Sequence, residues 1–383
     1  LFFSSLLLLF MMIPQELQKK LIADGYELYD IDQAAAEVAK IPADAVVFYD
    51  KFRVNYRLVS AIPAGVKKVQ GFDLVNNLKA IKNPVELKNF KYTNVIECAS
   101  LFKFFNYIKK HAAEGKLNEY NVGPILASYR NKYPEALLTD RCTLMTAYMA
   151  NGAGPHYTAT EAENAEIKPT GVLLIDTGGH YLSGSTDITR TLYMGPSEYD
   201  AAIKHDYTLT LISLMDLTRQ VIRDGADGAY LDSVARRVMW NEHLQYGYGT
   251  GHGVGYCIVA HEGPQFISEP SYKKEWAFCF LPLKPNMVMA LEPGIYREGK
   301  YGIRLENNVY ITEDCVNEYG TFYRFQTMSY VPFERELIDL DMLTNADIDW
   351  INEYHQKTLE LLTPYLEADE VEDLKKATAP LCR

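Results

Sequence analysis

Hydrophobic and polar residues follow one pattern up to about residue 80 and a different one beyond it. In the first part, short apolar segments such as residues 45–49 and 66–69 lie between stretches with helical spacing, such as residues 15–23. Short apolar segments suit strands, and apolar positions three and four apart suit one face of a helix. The pattern therefore predicts a small α/β domain over residues 1–80.

A long helix is predicted to begin directly after this domain. Asn83 is a residue type that caps helix N-termini, Pro84 suits the first helical position, and Glu86 can bond back to the cap. The helical spacing continues to about residue 113, ahead of Gly115. We therefore place a domain boundary near residue 80.

Between residues 170 and 318, the pattern predicts strands broken by tight turns, with two amphipathic helices among them. The predicted strands cover residues 171–177, 181–194, 287–291 and 301–311, and the predicted helices cover residues 199–223 and 231–245. This mixture favours an α+β core over residues 81–318. Residues 345–376 have helical spacing and one polar face, so residues 319–383 are predicted to form a C-terminal helical extension.

The composition is that of a globular protein without a phosphate-binding surface. With 48% hydrophobic and 23% charged residues, a chain of 383 residues can bury a full core. The formal net charge of -12 argues against nucleic acid as a partner, because affinity for phosphate comes largely from clustered Lys and Arg. The 6 cysteines lie apart with no CxxC pair, which favours neither a zinc ribbon nor a disulfide framework. We therefore expect a cytoplasmic location.

Residues 1–13 form an apolar run that could belong to a signal peptide, a membrane anchor or a buried strand. A membrane-spanning helix needs about 20 apolar residues. A signal peptide needs a basic start and a small-residue cleavage site, and neither is present in this run. We therefore predict a buried strand over residues 1–10 and no membrane partner. Because the chain opens on Leu1 rather than Met, we also expect it to be N-terminally truncated.

Two aspartates lie where an ionised carboxylate is costly. Asp176 ends the apolar run of residues 172–175, and Asp187 follows beyond the turn residues Gly178 and Gly179. That spacing suits a β-hairpin whose two strands present both carboxylates to one point. Aspartates in such positions more often cap turns, so the functional interpretation depends on the other residues.

Three further residues make that interpretation stronger. His252 is flanked by Gly251 and Gly253, which leave its imidazole unshielded, and Glu292 and Glu306 lie in or directly after apolar strands. Four carboxylates close to one imidazole would repel one another strongly without cations. Two divalent ions would balance the carboxylates, leave the histidine neutral and allow a bridging hydroxide to complete the site. Oxygen-rich ligation with one imidazole suits Mn²⁺, with Co²⁺ or Zn²⁺ as alternatives.

Two other histidines lie in predicted loops. His156 and His261 are both close to glycine and proline in the sequence. Either could act as a proton donor or shuttle beside the metal site, and from the residues alone a solvated surface position is equally compatible.

Taken together, these motifs resemble those of the pita-bread metallopeptidases, which include methionine aminopeptidase, prolidase and aminopeptidase P. Residues 175–181 and 185–191 resemble the paired-aspartate hairpin of that family, and residues 292–296 and 302–307 resemble its two glutamate motifs. Residues 249–255 and 261–264 are similar to the version found in long aminopeptidases P. The resemblance extends from about residue 80 to the C-terminal extension, and it implies that residues 1–80 are the remainder of a creatinase-like middle domain.

The resemblance implies a pita-bread catalytic domain with two divalent metal ions, commonly Mn²⁺, held by Asp176, Asp187, His252, Glu292 and Glu306. It implies that His156 binds substrate and helps to stabilise a tetrahedral intermediate, with assistance from His261. Arg304 and Tyr296 are expected to lie behind the ligands, near the proton path. The implied reaction is release of an N-terminal residue that precedes proline, by a protein that is often a homodimer.

Two other functions stay open at this point. Prolidase, which acts on Xaa-Pro dipeptides, shares the fold and the ligands, although residues 249–264 and the C-terminal extension favour aminopeptidase P. A non-catalytic peptide-binding module is disfavoured, because such modules usually lose metal ligands.

Many aminopeptidases P carry a histidine at the position of Tyr248. A phenol with a reference pKa of about 10 is a poor general base, so we expect Tyr248 to line the substrate cleft, with a purely structural role as the alternative.

Overall fold

The computed structural model describes residues 6–9, 14–134, 136–137, 144–257, 259–270 and 277–383. The chain divides into two units, Leu1–Asn77 and Leu78–Arg383. In the first unit, parallel strand pairs alternate with short helices, as the sequence pattern predicts. Its elements are β1 (Leu6–Leu9), α1 (Gln15–Ala23), β2 (Glu27–Asp30), α2 (Ala34–Val38), β3 (Val46–Tyr49), α3 (Tyr56–Ala61), β4 (Lys67–Gln70) and α4 (Leu74–Ala80), whose last residues lie beyond the boundary.

The apolar run at the start of the chain forms a strand where it is described. β1 pairs in parallel with β2, from Leu6 opposite Glu27 to Leu9 opposite Asp30. Residues 1–5 and 10, which the predicted strand also includes, lie outside the described residues, and the burial of the strand stays a prediction. Among the described residues, none of the helices combines the length and the hydrophobicity that a membrane-spanning segment needs.

The second unit contains the long helix that the capping residues predict. α5 (Pro84–His111) begins after Asn83, whose Oδ1 accepts hydrogen bonds from the backbone N–H groups of Val85 and Glu86. Glu86 Oε2 accepts in turn from Asn83 N at 2.8 Å, which completes a capping box. Further helices of this unit are α6 (Gly123–Arg130), α7 (Asp200–Arg219), α8 (Gly228–Asn241), α9 (Asn345–Leu362) and α10 (Ala368–Ala377).

Antiparallel strands form the body of the second unit. They are β5 (Ala136–Leu137), β6 (Leu144–Tyr148), β7 (Gly171–Thr177), β8 (His180–Tyr181), β9 (Gly184–Ser185), β10 (Ile188–Gly195), β11 (Val221–Arg223), β12 (Gly251–Gly253), β13 (Phe266–Ile267), β14 (Val288–Leu291), β15 (Gly294–Arg297), β16 (Tyr301–Arg304), β17 (Asn307–Asn317) and β18 (Gly320–Thr327). One sheet has the order β10, β7, β6, and a larger one has the order β11, β18, β17, β14, β12, β13. β15 pairs with β16, and β8 lies between β5 and β9. Helices packed on antiparallel sheets confirm the α+β class.

Buried apolar clusters fix the strands of both sheets. One cluster includes Leu211 and Leu214 of α7 together with Met289 of β14. Another includes Phe104 of α5 and Leu173 of β7. Each of these side chains is fully buried, and burial of a side chain of this size contributes about 1.5–3 kcal/mol. The packing therefore holds the ends of β7 and β14 in defined positions.

Two predicted strands are wrong in extent. The strand predicted over residues 181–194 is interrupted, because β8 and β9 form a small hairpin and β10 begins only at Ile188. Gly184 has a φ of 146°, a conformation that favours glycine, and it lies at this hairpin. The strand predicted over residues 301–311 is two strands, because β16 pairs with β15 and β17 belongs to the larger sheet.

The predicted helices also differ from the observed ones. The helix predicted over residues 199–223 ends at Arg219, because residues 221–223 pair with β18 as a strand. The helix predicted over residues 231–245 is α8, which begins earlier, after the side-chain cap of Asp227, and ends at Asn241. Residues 345–376 are helical as predicted, and they form two helices, α9 and α10. Pro364 lies in the short turn between them, and proline disrupts helices because it lacks an N–H group.

Candidate metal centre

The two aspartates are positioned by the sheet that contains β7. Asp176 lies near the end of β7, opposite Thr189 of β10 on one side and Met145 of β6 on the other. Asp187 directly precedes β10, and the side chain of Asn308 fixes its backbone from both sides. Asn308 Oδ1 accepts from Asp187 N, and Asn308 Nδ2 donates to Asp187 O, each at 2.9 Å. The hairpin predicted from the spacing is present, with β8 and β9 inserted between its strands.

His252 comes from the larger sheet, in the strand β12. It lies opposite Ala290 of β14, and its neighbouring glycines permit a close approach of backbones. A Cβ atom on Gly251 would lie 2.4 Å from Ala290 O, and one on Gly253 would lie 2.0 Å from Glu262 O. Both distances are far below van der Waals contact, so neither position can accept a side chain without movement of the backbone.

The two glutamates are fixed by backbone hydrogen bonds that cross between neighbouring segments. Glu292 directly follows β14, and its N–H donates to Thr250 O at 2.8 Å. Glu306 lies between β16 and β17, and its N–H donates to Thr189 O at 3.1 Å. These hydrogen bonds fix the backbone of Glu292 beside the segment that leads into β12, and the backbone of Glu306 beside β10.

All the predicted ligands lie close together. Three sets of side chains have ligand atoms within 4.8 Å of one another: Asp176, Asp187 and Glu306; His252, Glu292 and Glu306; and Asp187, His252 and His261. The Nε2 atom of His252 lies 3.6 Å from Asp187 Oδ2 and 3.5 Å from Glu292 Oε1. The sets share members, so they form a single cluster.

The chemistry of His252 fits a bound cation. Its Nδ1 lies 3.0 Å from Gly253 O, and because a carbonyl only accepts, Nδ1 carries the proton. The lone pair of Nε2 therefore points at carboxylates, and this buried atom has no hydrogen-bond partner among the described residues. A lone pair facing carboxylate oxygens is unfavourable unless a positive ion lies between them. The donor set thus fits one or more divalent ions.

Electrostatics lead to the same conclusion. Burial, together with repulsion from Asp176 and Asp187, raises the pKa of Glu292 to about 8. Burial and repulsion from the neighbouring carboxylates also raise the pKa of Glu306 well above its usual value. Burial lowers the pKa of His252 to about 3, so its imidazole is neutral near neutral pH. In the absence of a cation, the surrounding protein groups favour the neutral form of Glu292 and Glu306, whereas a carboxylate that binds a metal ion must be ionised.

A hydrogen-bonded chain runs behind the ligands from Arg304. This arginine is 2% exposed, and it donates through Nη2 to Asp176 Oδ2 at 2.5 Å and through Nη1 to Tyr296 OH at 2.6 Å. The Tyr296 hydroxyl lies 2.8 Å from Tyr248 OH, and Tyr248 OH donates to Glu292 O at 3.0 Å. Arginine can only donate, so Tyr296 OH accepts from Arg304 and donates to Tyr248 OH, which donates to Glu292 O. Burial raises the pKa of both phenols, which keep their protons.

The two loop histidines lie at different distances from the ligands. His261 is largely exposed, yet its Nε2 is 3.4 Å from Asp187 Oδ2 and its ring centroid is 3.9 Å from that of His252. His156 lies in an exposed loop, and its ring makes a T-shaped contact with the ring of Tyr248, with centroids 6.3 Å apart. His156 belongs to none of the ligand sets of the described residues.

Comparison with known proteins identifies the family. Residues 94–313 match metallopeptidase family M24, and residues 321–381 match the C-terminal region of peptidase M24. The chain belongs to metallopeptidase family M24. It is 33% identical over 380 residues to a probable Xaa-Pro aminopeptidase P of Arthroderma gypseum, covering 96% of this chain and 58% of that relative. It is 34% identical over 329 residues to aminopeptidase P1 of Arabidopsis thaliana, covering 79% of this chain and 50% of the relative.

Solved structures with this M24 fold include an X-prolyl aminopeptidase from Caenorhabditis elegans, described as a cytosolic enzyme with a di-nuclear active site. It is 26% identical with a TM-score of 0.83, and the match covers 96% of this chain and 60% of that one. The fold is shared by an Xaa-Pro dipeptidase from Bacillus anthracis, which is 24% identical with a TM-score of 0.60. That match covers 84% of this chain and 82% of the dipeptidase chain. The pita-bread fold expected from the motifs is confirmed.

The roles of several residues of this M24 site could not be recognised from the sequence. Thr189 donates from Oγ1 to Glu306 Oε2 at 2.6 Å and accepts from Arg304 Nε at 3.2 Å, so it connects a ligand to the arginine chain. Asn308 holds Asp187 as described above. His261 is near enough to Asp187 and His252 to share an ion with them, whereas the sequence assigned it a donor role. The sequence spacing of Thr189 does not show that it supports a ligand, and the spacing of His261 does not distinguish a metal ligand from a proton donor.

Proposed function

We propose that this chain is a metal-dependent aminopeptidase that releases the N-terminal residue from peptides with proline in the second position. The observation that carries the proposal is the cluster of four carboxylates and His252, whose buried Nε2 has no hydrogen-bond partner among the described residues. The names of the relatives support the preference for proline. The chain spans only about half to three-fifths of their length, so the activity of the whole protein is part of the proposal.

Two divalent ions, with Mn²⁺ as the proposed species, are assigned to the ligands Asp176, Asp187, His252, Glu292 and Glu306. When bound, such ions polarise a carbonyl oxygen and lower the pKa of a water molecule. The buried setting of the carboxylates and the neutral state of His252 support this assignment. His261 stays outside the assigned set, although its Nε2 is close enough to Asp187 to join it.

The protein's own groups supply orientation and proton control. Arg304 holds Asp176 through a short charge-assisted hydrogen bond and aligns Tyr296. His156 and His261 are assigned to the substrate side, where an N–H donor can stabilise charge that develops on the peptide carbonyl. Tyr248 is assigned to the wall of the cleft, because its ring contacts His156.

The domain organisation and cellular setting complete the proposal. Residues 1–80 are assigned to the remainder of a creatinase-like middle domain, residues 81–318 to the catalytic domain and residues 319–383 to the C-terminal extension. A homodimer in the cytoplasm is proposed as the working form. The description of the C. elegans neighbour as cytosolic supports the location.

Hydrolysis of matched peptides tests the proposed reaction. With added Mn²⁺, we expect the protein to cleave Xaa-Pro-Xaa tripeptides faster than Xaa-Pro dipeptides, and to leave Xaa-Ala-Xaa tripeptides largely intact. A preference for the dipeptides would reassign the chain to prolidase. Tight peptide binding without any turnover by the metal-loaded protein would instead support a non-catalytic binding module. The prolidases among the fold neighbours do not decide between these functions, because their similarity shows the fold alone.

Tyr248→Phe should lower kcat/KM by no more than about tenfold, because the lost hydroxyl bonds only to neutral protein groups and each such hydrogen bond contributes about 0.5–1.5 kcal/mol. The phenyl ring keeps the contact with His156, while the hydrogen bonds to Glu292 O and from Tyr296 OH are lost. Tyr248→Ala removes the ring as well and should raise KM further. Peptide kinetics and metal content would be measured for both variants. Loss of turnover in Tyr248→Phe with the metal still bound would show that the hydroxyl lies on the proton path.

A further inference from the structure

Glu119 is a buried carboxylate that holds the loop carrying His156. Its side chain is 3% exposed, and it lies outside the metal cluster. Oε1 accepts hydrogen bonds from Tyr148 N at 2.6 Å and Asn151 Nδ2 at 3.1 Å. Oε2 accepts from Asn151 Nδ2 at 2.9 Å, Tyr157 OH at 2.8 Å and Ala165 N at 2.7 Å. All these donors are neutral.

The donors are placed so that one carboxylate holds the whole loop. Tyr148 ends β6 before the loop, Ala165 lies at its far end, and Tyr157 directly follows His156. The backbone of Glu119 adds a hydrogen bond from its N–H to Ala165 O at 3.1 Å. Exposed loops are ordinarily the most mobile parts of a fold, so contacts at both ends and beside the histidine restrict its position.

The opposite side of the loop rests on the strand that leads to Arg304. A Cβ atom on Gly302 would lie 1.8 Å from Gly152 O, so the two backbones are in direct contact. Arg304 Nη1 also donates to Pro155 O at 3.2 Å. The loop is therefore held between Glu119 on one side and the arginine that contacts Asp176 on the other.

The use of a carboxylate at this position has a specific reason. Burial of a charged group is costly unless hydrogen bonds compensate it, so a residue that only filled space would be apolar or amide-bearing. Glutamine has nearly the same shape, but one of its oxygens is replaced by an NH₂ group. That NH₂ group would face either Tyr148 N or Ala165 N, and a backbone N–H cannot turn to accept. A carboxylate accepts from both sides.

We propose that Glu119 is a positioning residue for His156: its hydrogen bonds to Tyr148, Asn151, Tyr157 and Ala165 hold the loop so that the imidazole faces the peptide substrate. The proposal rests on the function proposed above, since His156 has a task only if a peptide binds beside it. Among the described residues, Glu119 has no hydrogen bond to a candidate ligand or to His156, so it acts on His156 through the loop.

A double-mutant cycle separates this role from general stability. Glu119→Gln should lower kcat/KM for an Xaa-Pro-Xaa peptide about 10- to 100-fold, the range for loss of hydrogen bonds to a charged group. Metal content should not change. In a His156→Ala background, Glu119→Gln should cost less than about twofold, because residues that act through one another are not additive. Glu161→Gln, which alters an exposed carboxylate on the same loop, is the matched control and should behave as wild type.

Amide hydrogen exchange over residues 149–165 gives a readout that does not depend on activity. Exchange should be faster in Glu119→Gln than in wild type and Glu161→Gln. Tyr157→Phe removes only one of the hydrogen bonds that Glu119 accepts, so it should shift both exchange and kcat/KM in the same direction by a smaller factor. It replaces Glu119→Gln in the test if that variant does not fold. Equal losses with and without His156, or unchanged exchange, would overturn the proposal. If wild type cleaves no prolyl peptide, the proposed function fails, and the exchange data alone decide whether Glu119 holds the loop.

Discussion

Asp187→Asn should weaken metal binding by more than about 100-fold and abolish peptide cleavage. The Asp187 carboxylate belongs to two of the three ligand sets, one with Asp176 and Glu306 and one with His252 and His261. The substitution removes one negative charge and one ligand oxygen from the centre of the cluster. Changes to groups that only support metal ligands already cost about 10–100-fold in affinity or activity, so loss of a shared ligand should exceed that range.

Metal content by mass spectrometry and titration calorimetry with Mn²⁺ would measure this effect. Asp349→Asn, which makes the same chemical change at an exposed position on α9, is the control and should bind metal normally. In the presence of a chelator, the melting temperature of Asp187→Asn should be no lower than that of wild type, because the variant removes one charge from a crowded set of carboxylates. Undiminished binding of two ions by Asp187→Asn would contradict the assigned ligands.

The ligand residues could be predicted because each is unusual among its neighbours in the sequence. Asp176 and Glu292 interrupt or end apolar strands, where an ionised side chain needs a partner. Gly251 and Gly253 distinguish His252 from an ordinary core histidine, because glycine on both sides indicates that other backbone segments or a ligand approach closely. The start of α5 is equally local, since the cap, the proline and the glutamate that define it lie within four consecutive positions. Such signals need no knowledge of the tertiary fold.

The supporting residues could not be predicted because their partners are remote in the chain. Asn308 holds Asp187, Thr189 holds Glu306, and Glu119 holds the loop of His156, each across a long sequence separation. Asparagine, threonine and glutamate at such positions are ordinary, and their roles arise only when remote segments of the chain come together. The break between α9 and α10 is a different case, because Pro364 is a local signal that marks it.

Arg304→Lys should reduce kcat/KM about 10–100-fold while the metal ions stay bound. The guanidinium donates to four oxygen atoms at once: Asp176 Oδ2, Tyr296 OH, Pro155 O and Thr189 Oγ1. Lysine keeps the positive charge beside Asp176, but a single ammonium on a flexible stem cannot reach all four in this planar arrangement. The hydrogen bonds that align Tyr296 and hold the His156 loop through Pro155 should therefore be lost, although the charge balance is retained.

Comparison with two other substitutions decides whether charge or geometry accounts for the loss. Arg304→Met removes both, and because it leaves Asp176 without its cation it should be more damaging than Arg304→Lys, in activity and in metal affinity. Arg324→Lys changes an arginine that pairs with Asp314 at the surface, so it should leave peptide kinetics unchanged. Full activity of Arg304→Lys would mean that its charge alone matters. In that case, the ordered chain from Arg304 through Tyr296 and Tyr248 to Glu292 would have no part in the reaction.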